Sequence, residues 1–414
     1  ASVNFGDDPT SVDYERIFYA RRPILEIAVK NFLENQSFQA DFKHFEKSNR
    51  LWLDDFAEFM AIKEHFGNQA LQKWDDKKAV ARDPSALEKY RTMLAEQIQY
   101  FKVTQYFFFK QWTELKNYAN QKGIQIIGDM PIYVAADSVE VWTKPELFQL
   151  DEERNPLFVA GVPADQFSAT GQLWGNPLYA WEEHKKQGYA WWIHRIEESF
   201  KIYDVLRIDH FKGFSDYWQV DGKAEVAKDG SWQPGPGYDL FKAVKEQLGD
   251  LPIIAEDLGN IDDKARKLLT DCNYPGMKIL QFGFEDVSGE SLDSPHYCIP
   301  HSIVYTGTHD NDVTNGWYNS LTEQQQQYIN DYTHRHEDES ICQAMIRQLF
   351  ATVSNTAIAT MQDVLDLPAS SRMNVPSTIG GNWQWRMQQS DLTQDKKDFL
   401  EKMTTLYQRA NQEK

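Results

Sequence analysis

Cysteine is scarce in this chain: three in 414 residues, Cys272, Cys298 and Cys342, widely spaced. So few, and an odd number, exclude a disulfide framework and a Cys-based zinc pattern, and favour a reducing compartment, the cytoplasm. Basic residues are also in deficit. Lys and Arg number 43 against 62 Asp and Glu, a net charge of −19. A nucleic-acid surface needs clustered Lys and Arg to displace counterions, and an anionic membrane surface attracts the same residues, so neither partner is expected. A neutral substrate fits the balance. Apolar runs are short, and none approaches the roughly 18 residues of a transmembrane helix. The N-terminus, which opens on Ala rather than Met, shows no basic-then-apolar signal region. A repeat of fixed period, an EF-hand loop and a His-x-x-x-His pair are all missing, so no metal or other cofactor is expected.

Aromatic residues are plentiful: Trp 13, Tyr 19 and Phe 24. With 41% hydrophobic and 25% charged residues, they predict a globular protein with a large core rather than a disordered one. At about 150 residues per domain the length suggests two or three domains, although one α/β barrel with insertions can exceed about 400 residues.

Residues 1–120 read as helices. Tyr14–Leu33 and Trp52–Phe66 carry apolar residues at three- and four-residue spacings. Ser85 with Glu88 suggests a capping box opening a long helical stretch to Gly123. Its aromatic run, Tyr106 to Phe109 and Trp112, reads as core packing. After Gly123, short β-branched runs recur at Ile124–Ile127, Tyr203–Ile208, Ile253–Ala255, Lys278–Phe282, Ile303–Tyr305 and Ala357–Met361, with helical patterns between most of them. Such runs predict parallel strands covered on both faces, an α/β class. Two connections, residues 131–200 and 213–237, are rich in Trp, Gly and Pro and read as long functional loops. A polar terminal helix is expected within Gln388–Lys414.

Carboxylates gather at the ends of these runs: Asp129, Asp209, Glu256 with Asp257, Asp310 and Asp363. One acid after a strand is ordinary, because Asp caps the following helix. Five are not. In a parallel barrel every strand C-terminus opens on the face that carries the active site. Carboxylates gathered without a His/Cys cluster suit divalent-metal binding or glycoside cleavage. Arg207 stands two before Asp209, so on a strand it shares that face and would keep Asp209 ionised, as a nucleophile requires. Glu256 follows the wholly apolar Ile253–Ala255; desolvation would raise its pKa, which suits a general acid. Trp142, Trp174, Tyr179, Trp218 and Trp232 in the surrounding loops offer flat faces for sugar rings. The residues therefore point to a barrel glycosidase or glycosyl transferase without fixing the sugar.

Arg207-Ile-Asp-His210, Ile254-Ala-Glu-Asp-Leu-Gly259 and Thr308-His-Asp-Asn311 resemble successive catalytic segments of the α-amylase clan. Ile126-Ile-Gly-Asp-Met-Pro-Ile132, Gly171-Gln-Leu-Trp-Gly-Asn-Pro-Leu-Tyr179 and Arg372-Met-Asn-Val-Pro376 narrow the likeness. The chain resembles, over nearly its whole length, the 4-α-glucanotransferases called amylomaltase or disproportionating enzyme, glycoside hydrolase family 77. The resemblance implies a (β/α)8 TIM barrel with helical insertions. Residues 1–120 would form an insertion subdomain, and residues 121–414 would supply strands three to eight, the sequence starting after the first two. It implies Asp209 as nucleophile, Glu256 as acid and base, and Asp310 as stabiliser of the oxocarbenium-like transition state. Arg207 would orient Asp209, and Asp129 would support the first strand's end. His309, Asn311 and His210 would contact sugar, and Phe167, Gln172, Trp174 and Asn176 would lie on a loop that lids the acceptor side. Maltooligosaccharides, maltodextrin, starch or glycogen would be the partners. A retaining reaction implies carboxyls of Asp209 and Glu256 about 5–5.5 Å apart. The sequence departs from relatives at Gln166, where Tyr is common, and at Ala169, where Glu is. Rival readings are an α-1,4-glucan hydrolase of the same clan, a non-catalytic glucan-binding fragment and a metal-dependent α/β enzyme.

Overall fold

The computed structural model describes residues 3–35, 39–164, 170–259 and 261–410. They form two compact units, Ala1–Arg21 with Tyr274–Lys414, and Arg22–Asn273. Among the described residues ten strands follow in order: β1 (Ile127–Met130), β2 (Phe158–Val162), β3 (Gln172–Pro177), β4 (Val205–Ile208), β5 (Asp216–Asp221), β6 (Ser231–Pro234), β7 (Ile253–Ala255), β8 (Gly276–Ile279), β9 (Ser302–Tyr305) and β10 (Thr356–Ile358). The six apolar runs all yield strands, and these pair in parallel: β1-β4-β7 in the unit Arg22–Asn273 and β10-β9-β8 in the other. The molecule is therefore a mixed α/β protein, as the alternating pattern predicts.

Strand bounds differ from the expected runs, at Ala357–Met361, for example, where the strand is Thr356–Ile358 and Met361 opens a helix. Residues 124–126 fall outside β1, where Asn120 Nδ2 donates to the Ile124 carbonyl at 3.0 Å and the Ile126 N–H donates to Asp204 Oδ2 at 2.8 Å. The strand then starts at Ile127, so Asp129 lies inside it rather than beyond it. In Lys278–Phe282, Leu280 instead begins the helix Leu280–Glu285.

Both Gly- and Trp-rich connections fold rather than loop out. Their strands join in one antiparallel sheet, β3-β2-β5-β6. Sequence alternation is weak here because glycines carry the close approaches: a Cβ on Gly161 would stand 2.5 Å from the Gln172 carbonyl across the β2–β3 pair.

The N-terminal region is helical, with Tyr14–Glu34, Arg50–His65 and Ala95–Gln121 as its longest helices. The expected single stretch from Ser85 is broken at Leu94. Its first part, Pro84–Met93, is capped by Asp83, which accepts from the N–H groups of Ser85 and Ala86, with Pro84 at the first position; the Ser85–Glu88 capping box does not form. Val29, Phe32, Phe42, Tyr100, Val103 and Tyr106 pack into one core. Only Tyr106 of the aromatic run is buried; Phe108 is exposed and stacks on Trp112, whose Nε1 donates to the Ile202 carbonyl at 2.8 Å. In the other unit Leu280, Val304, Trp317, Met345 and Leu349 anchor the core, and Gln394–Leu406 is the terminal helix. The three cysteines are free. Among the described residues no helix is long and apolar enough to cross a membrane.

Candidate active site

Register decides which side chains meet. Asp129 of β1 lies opposite Arg207 of β4, and Arg207 and Asp209, two apart, point to the same side. Arg207 Nη1 donates to Asp129 Oδ1 at 2.6 Å, to Asp129 Oδ2 at 2.7 Å and to Asp209 Oδ1 at 2.8 Å. The guanidinium side chain is 9% exposed and each carboxylate 41%. Burial opposes the charge on Arg207, but Asp129 first, then Asp209 and Glu256, outweigh it and raise its pKa. Arg207 thus bonds both carboxylates, Asp129 sharing the cation with Asp209.

Arg207→Ala would leave two carboxylates side by side without their cation. Water reaches both acids, so the expected loss of stability is about 1–3 kcal/mol rather than the larger value of a sealed pair. A urea midpoint checks it.

Glu256 follows the buried β7 and is held from several sides. Its own N–H donates to the Ile208 carbonyl and its carbonyl accepts from the Phe211 N–H, each at 3.0 Å. Its Oε2 accepts from the His210 N–H at 2.7 Å and its Oε1 from the Leu258 N–H at 2.8 Å. Burial, then the charge of Asp209, push Glu256 up to about 7, against the pull of Arg207 and the two N–H groups. The carboxyl thus has the raised pKa expected from its apolar approach. His210 sits at φ 50, the left-handed region, and burial pushes its imidazole down to about 4.

Above this cluster lies β3. Trp174 packs edge-to-face on His210 with ring centroids 4.8 Å apart. Its Nε1 donates to Gln172 Oε1 at 3.2 Å, and Asn176 Nδ2 donates to the Val134 carbonyl at 2.8 Å. Gln172, Trp174 and Asn176 therefore share one strand rather than a loop. Phe167, Gln166 and Ala169 lie outside the described residues. Tyr133, not singled out in the sequence, stacks on Tyr179 and lies against Trp174.

Asp310, His309 and Asn311 belong to the other unit. They follow β9 in a turn closed by Asn311 Oδ1, which accepts from the Thr308 N–H at 2.8 Å and from its hydroxyl at 2.9 Å. Asn374 Nδ2 donates to Asp310 Oδ1 at 2.6 Å, Arg372 Nη2 donates to the Asp310 carbonyl at 2.8 Å, and His309 Nε2 stands 3.3 Å from Asp310 Oδ2. His309 also packs on Trp383, with centroids 5.0 Å apart. Sequence reasoning passed over Arg372 and Asn374 as site residues; the Arg372–Pro376 motif was the signal.

Three expectations are corrected. Asp363 is no open strand-end acid: it is 2% exposed, accepts from the Thr306 hydroxyl at 2.6 Å and the Thr314 N–H at 2.9 Å, and lies inside the short helix Met361–Val364. Trp142 and Tyr179 are buried and cannot offer a ring face; Trp142 packs with Phe59 and Trp74, and the Tyr179 hydroxyl donates to the Ile132 carbonyl at 2.7 Å. Trp174 and Trp232 do remain exposed. Among the described residues, His194, Glu197 and Glu198 could offer an ion ligand atoms within 4.8 Å of one another. They lie one turn apart on the helix Ala190–Ile202, and Lys201 already pairs with Glu198.

The profile of a family described as 4-alpha-glucanotransferase matches residues 3–393. A 4-alpha-glucanotransferase of Streptococcus pneumoniae is 53% identical over 411 residues, covering 99% of this chain and 81% of that protein. One from Clostridium butyricum is 41% identical, over 98% of this chain and 83% of its own length. The solved amylomaltase from Streptococcus agalactiae in complex with acarbose superposes with a TM-score of 0.98 at 58% identity, over 99% of this chain and 83% of that one.

Proposed function

The chain belongs to the 4-alpha-glucanotransferase family, glycoside hydrolase family 77, and from that premise we propose how its residues move α-1,4-glucan segments between maltooligosaccharides. The observation that carries the reading is the pair formed by an arginine-held Asp209 and a Glu256 whose pKa is pushed up to about 7.

Asp209 Oδ1 is held by Arg207, so Oδ2 attacks the anomeric carbon of the donor. The bond from that carbon to the leaving 4-oxygen breaks, and Glu256 gives its proton to this oxygen. Asp209 is then an uncharged ester. Its charge had helped to keep Glu256 protonated, whereas Arg207 remains cationic and pulls the other way. Glu256 therefore becomes the stronger acid and persists as a carboxylate. An acceptor 4-hydroxyl attacks the same carbon, the ester bond breaks, and Glu256 takes the hydroxyl proton. Two inversions give net retention, which needs carboxyls about 5–5.5 Å apart. The N–H of His210, next to the nucleophile, already reaches Glu256.

From the family resemblance we assign Asp310 to the transition state's positive charge, with Asn374 and Arg372 holding it in place. His309, Asn311 and His210 are assigned to sugar hydroxyls, and Gln172, Trp174 and Asn176 to the acceptor side. Asn311 Oδ1 is engaged in its turn, so its Nδ2 is the group left for substrate. The same likeness supports reading the six parallel strands as members of a (β/α)8 barrel, with residues 1–120 as helices inserted into it.

Maltotriose tests transfer against hydrolysis. The expected result is glucose together with maltooligosaccharides longer than the substrate, with little net rise in reducing ends. A steady rise in reducing ends without longer products would favour a hydrolase.

A further inference from the structure

The structure ties the acceptor strand to the acid through two contacts. Trp174 on β3 presses edge-to-face on the His210 ring. The His210 N–H holds Glu256 Oε2 at 2.7 Å. We propose that Trp174 is a positioning residue for Glu256: its ring fixes the His210 turn, and the turn's N–H fixes the carboxyl.

Two features favour this over a Trp that only receives sugar. His210 has φ 50, a conformation that a non-glycine residue rarely adopts and that persists only where neighbours hold it. The turn is also shaped to seat the ring. A Cβ on Gly213 would stand 3.1 Å from His210 Cδ2 and 2.7 Å from Ile132 Cδ1, so glycine leaves the imidazole its place beside Trp174. The strand carrying Trp174 is itself pinned, by its pairing with β2 and by Asn176 on the Val134 carbonyl. The charged groups facing Glu256 are Asp209 and Arg207 of the β4 segment, with Lys212 beyond His210; substitution of Trp174 removes none of them. An acceptor chain that reaches Trp174 therefore acts, through His210, on the group that will deprotonate it.

The inference rests on Glu256 as acid and base, and its test is kept independent of that reading by measuring the carboxyl directly. Glu256 is titrated by 13C NMR in carboxyl-labelled free enzyme, its signal assigned by loss in Glu256→Gln. The His210 N–H stabilises the carboxylate, so loosening it raises the midpoint. Trp174→Ala is expected to raise it by about half a pH unit, roughly threefold in proton affinity. Trp174→Phe, which keeps an aromatic edge on His210, should restore it. His210→Gly keeps the N–H and tolerates the positive φ, and in that background Trp174→Ala should have no further effect. An unchanged midpoint in Trp174→Ala, or an equal rise in the presence and absence of the His210 ring, would overturn the proposal. Failure of Glu256 as acid and base would show elsewhere, as unchanged turnover in Glu256→Gln.

Discussion

Asp209→Asn is expected to lower glucan transfer by about 10⁴-fold or more while the protein remains folded. The substitution keeps the shape but replaces the attacking carboxylate by an amide, which cannot form the glycosyl ester. The Arg207 bond does not protect activity. Asn still offers an oxygen to the Nη1 that now reaches Asp209 Oδ1 at 2.8 Å, so the geometry survives while the nucleophile is lost. The measurement is the steady-state rate of maltotriose disproportionation, with thermal unfolding run beside it. A loss confined to a few fold would mean that another group attacks.

Glu256→Gln is expected to cost about 10²–10⁴-fold with maltooligosaccharide donors, the usual contribution of a positioned general acid. The loss should be much smaller for glycosylation by an α-maltosyl fluoride, whose leaving group needs little protonation. In the parent enzyme, the acid must be protonated before the first step. With Glu256 at about 7, kcat/KM for maltotriose should fall as pH rises through that value, and the variant should lose this limb. Equal losses with both donors, or a basic limb that survives in Glu256→Gln, would assign the limb to another group.

Much of this chemistry is legible in the sequence because strand ends are. Ile253–Ala255 is apolar and bounded, so it forms the predicted strand and delivers Glu256 where expected. The two-residue spacing of Arg207 and Asp209 needs only the pleat of a strand to be read as one face. Asp129 shows the limit: its meeting with Arg207 depends on the β1–β4 register, set by where the preceding turn ends. Asp363 follows an apolar run like the other acids, but the Thr306 hydroxyl and Thr314 N–H that claim it are distant in sequence. Trp142 and Trp174 look alike as loop aromatics. Burial separates them, since one fills a core of aromatic neighbours while the other stays 37% exposed on a strand. The antiparallel sheet escapes notice because β2 and β3 are each interrupted by a glycine, and Arg372 and Asn374 because their action on Asp310 passes through a segment with no regular structure.

The most direct measurement of the mechanism is covalent trapping. Glu256→Gln would be mixed with an α-maltosyl fluoride in the absence of a good acceptor, digested and examined by mass spectrometry. Formation of the ester needs Asp209 alone, whereas its breakdown needs the missing base, so a maltosyl adduct should accumulate on the peptide containing Asp209. An adduct on a different carboxylate, or turnover with retention and no adduct in a variant slow enough to accumulate one, would contradict the double displacement through Asp209.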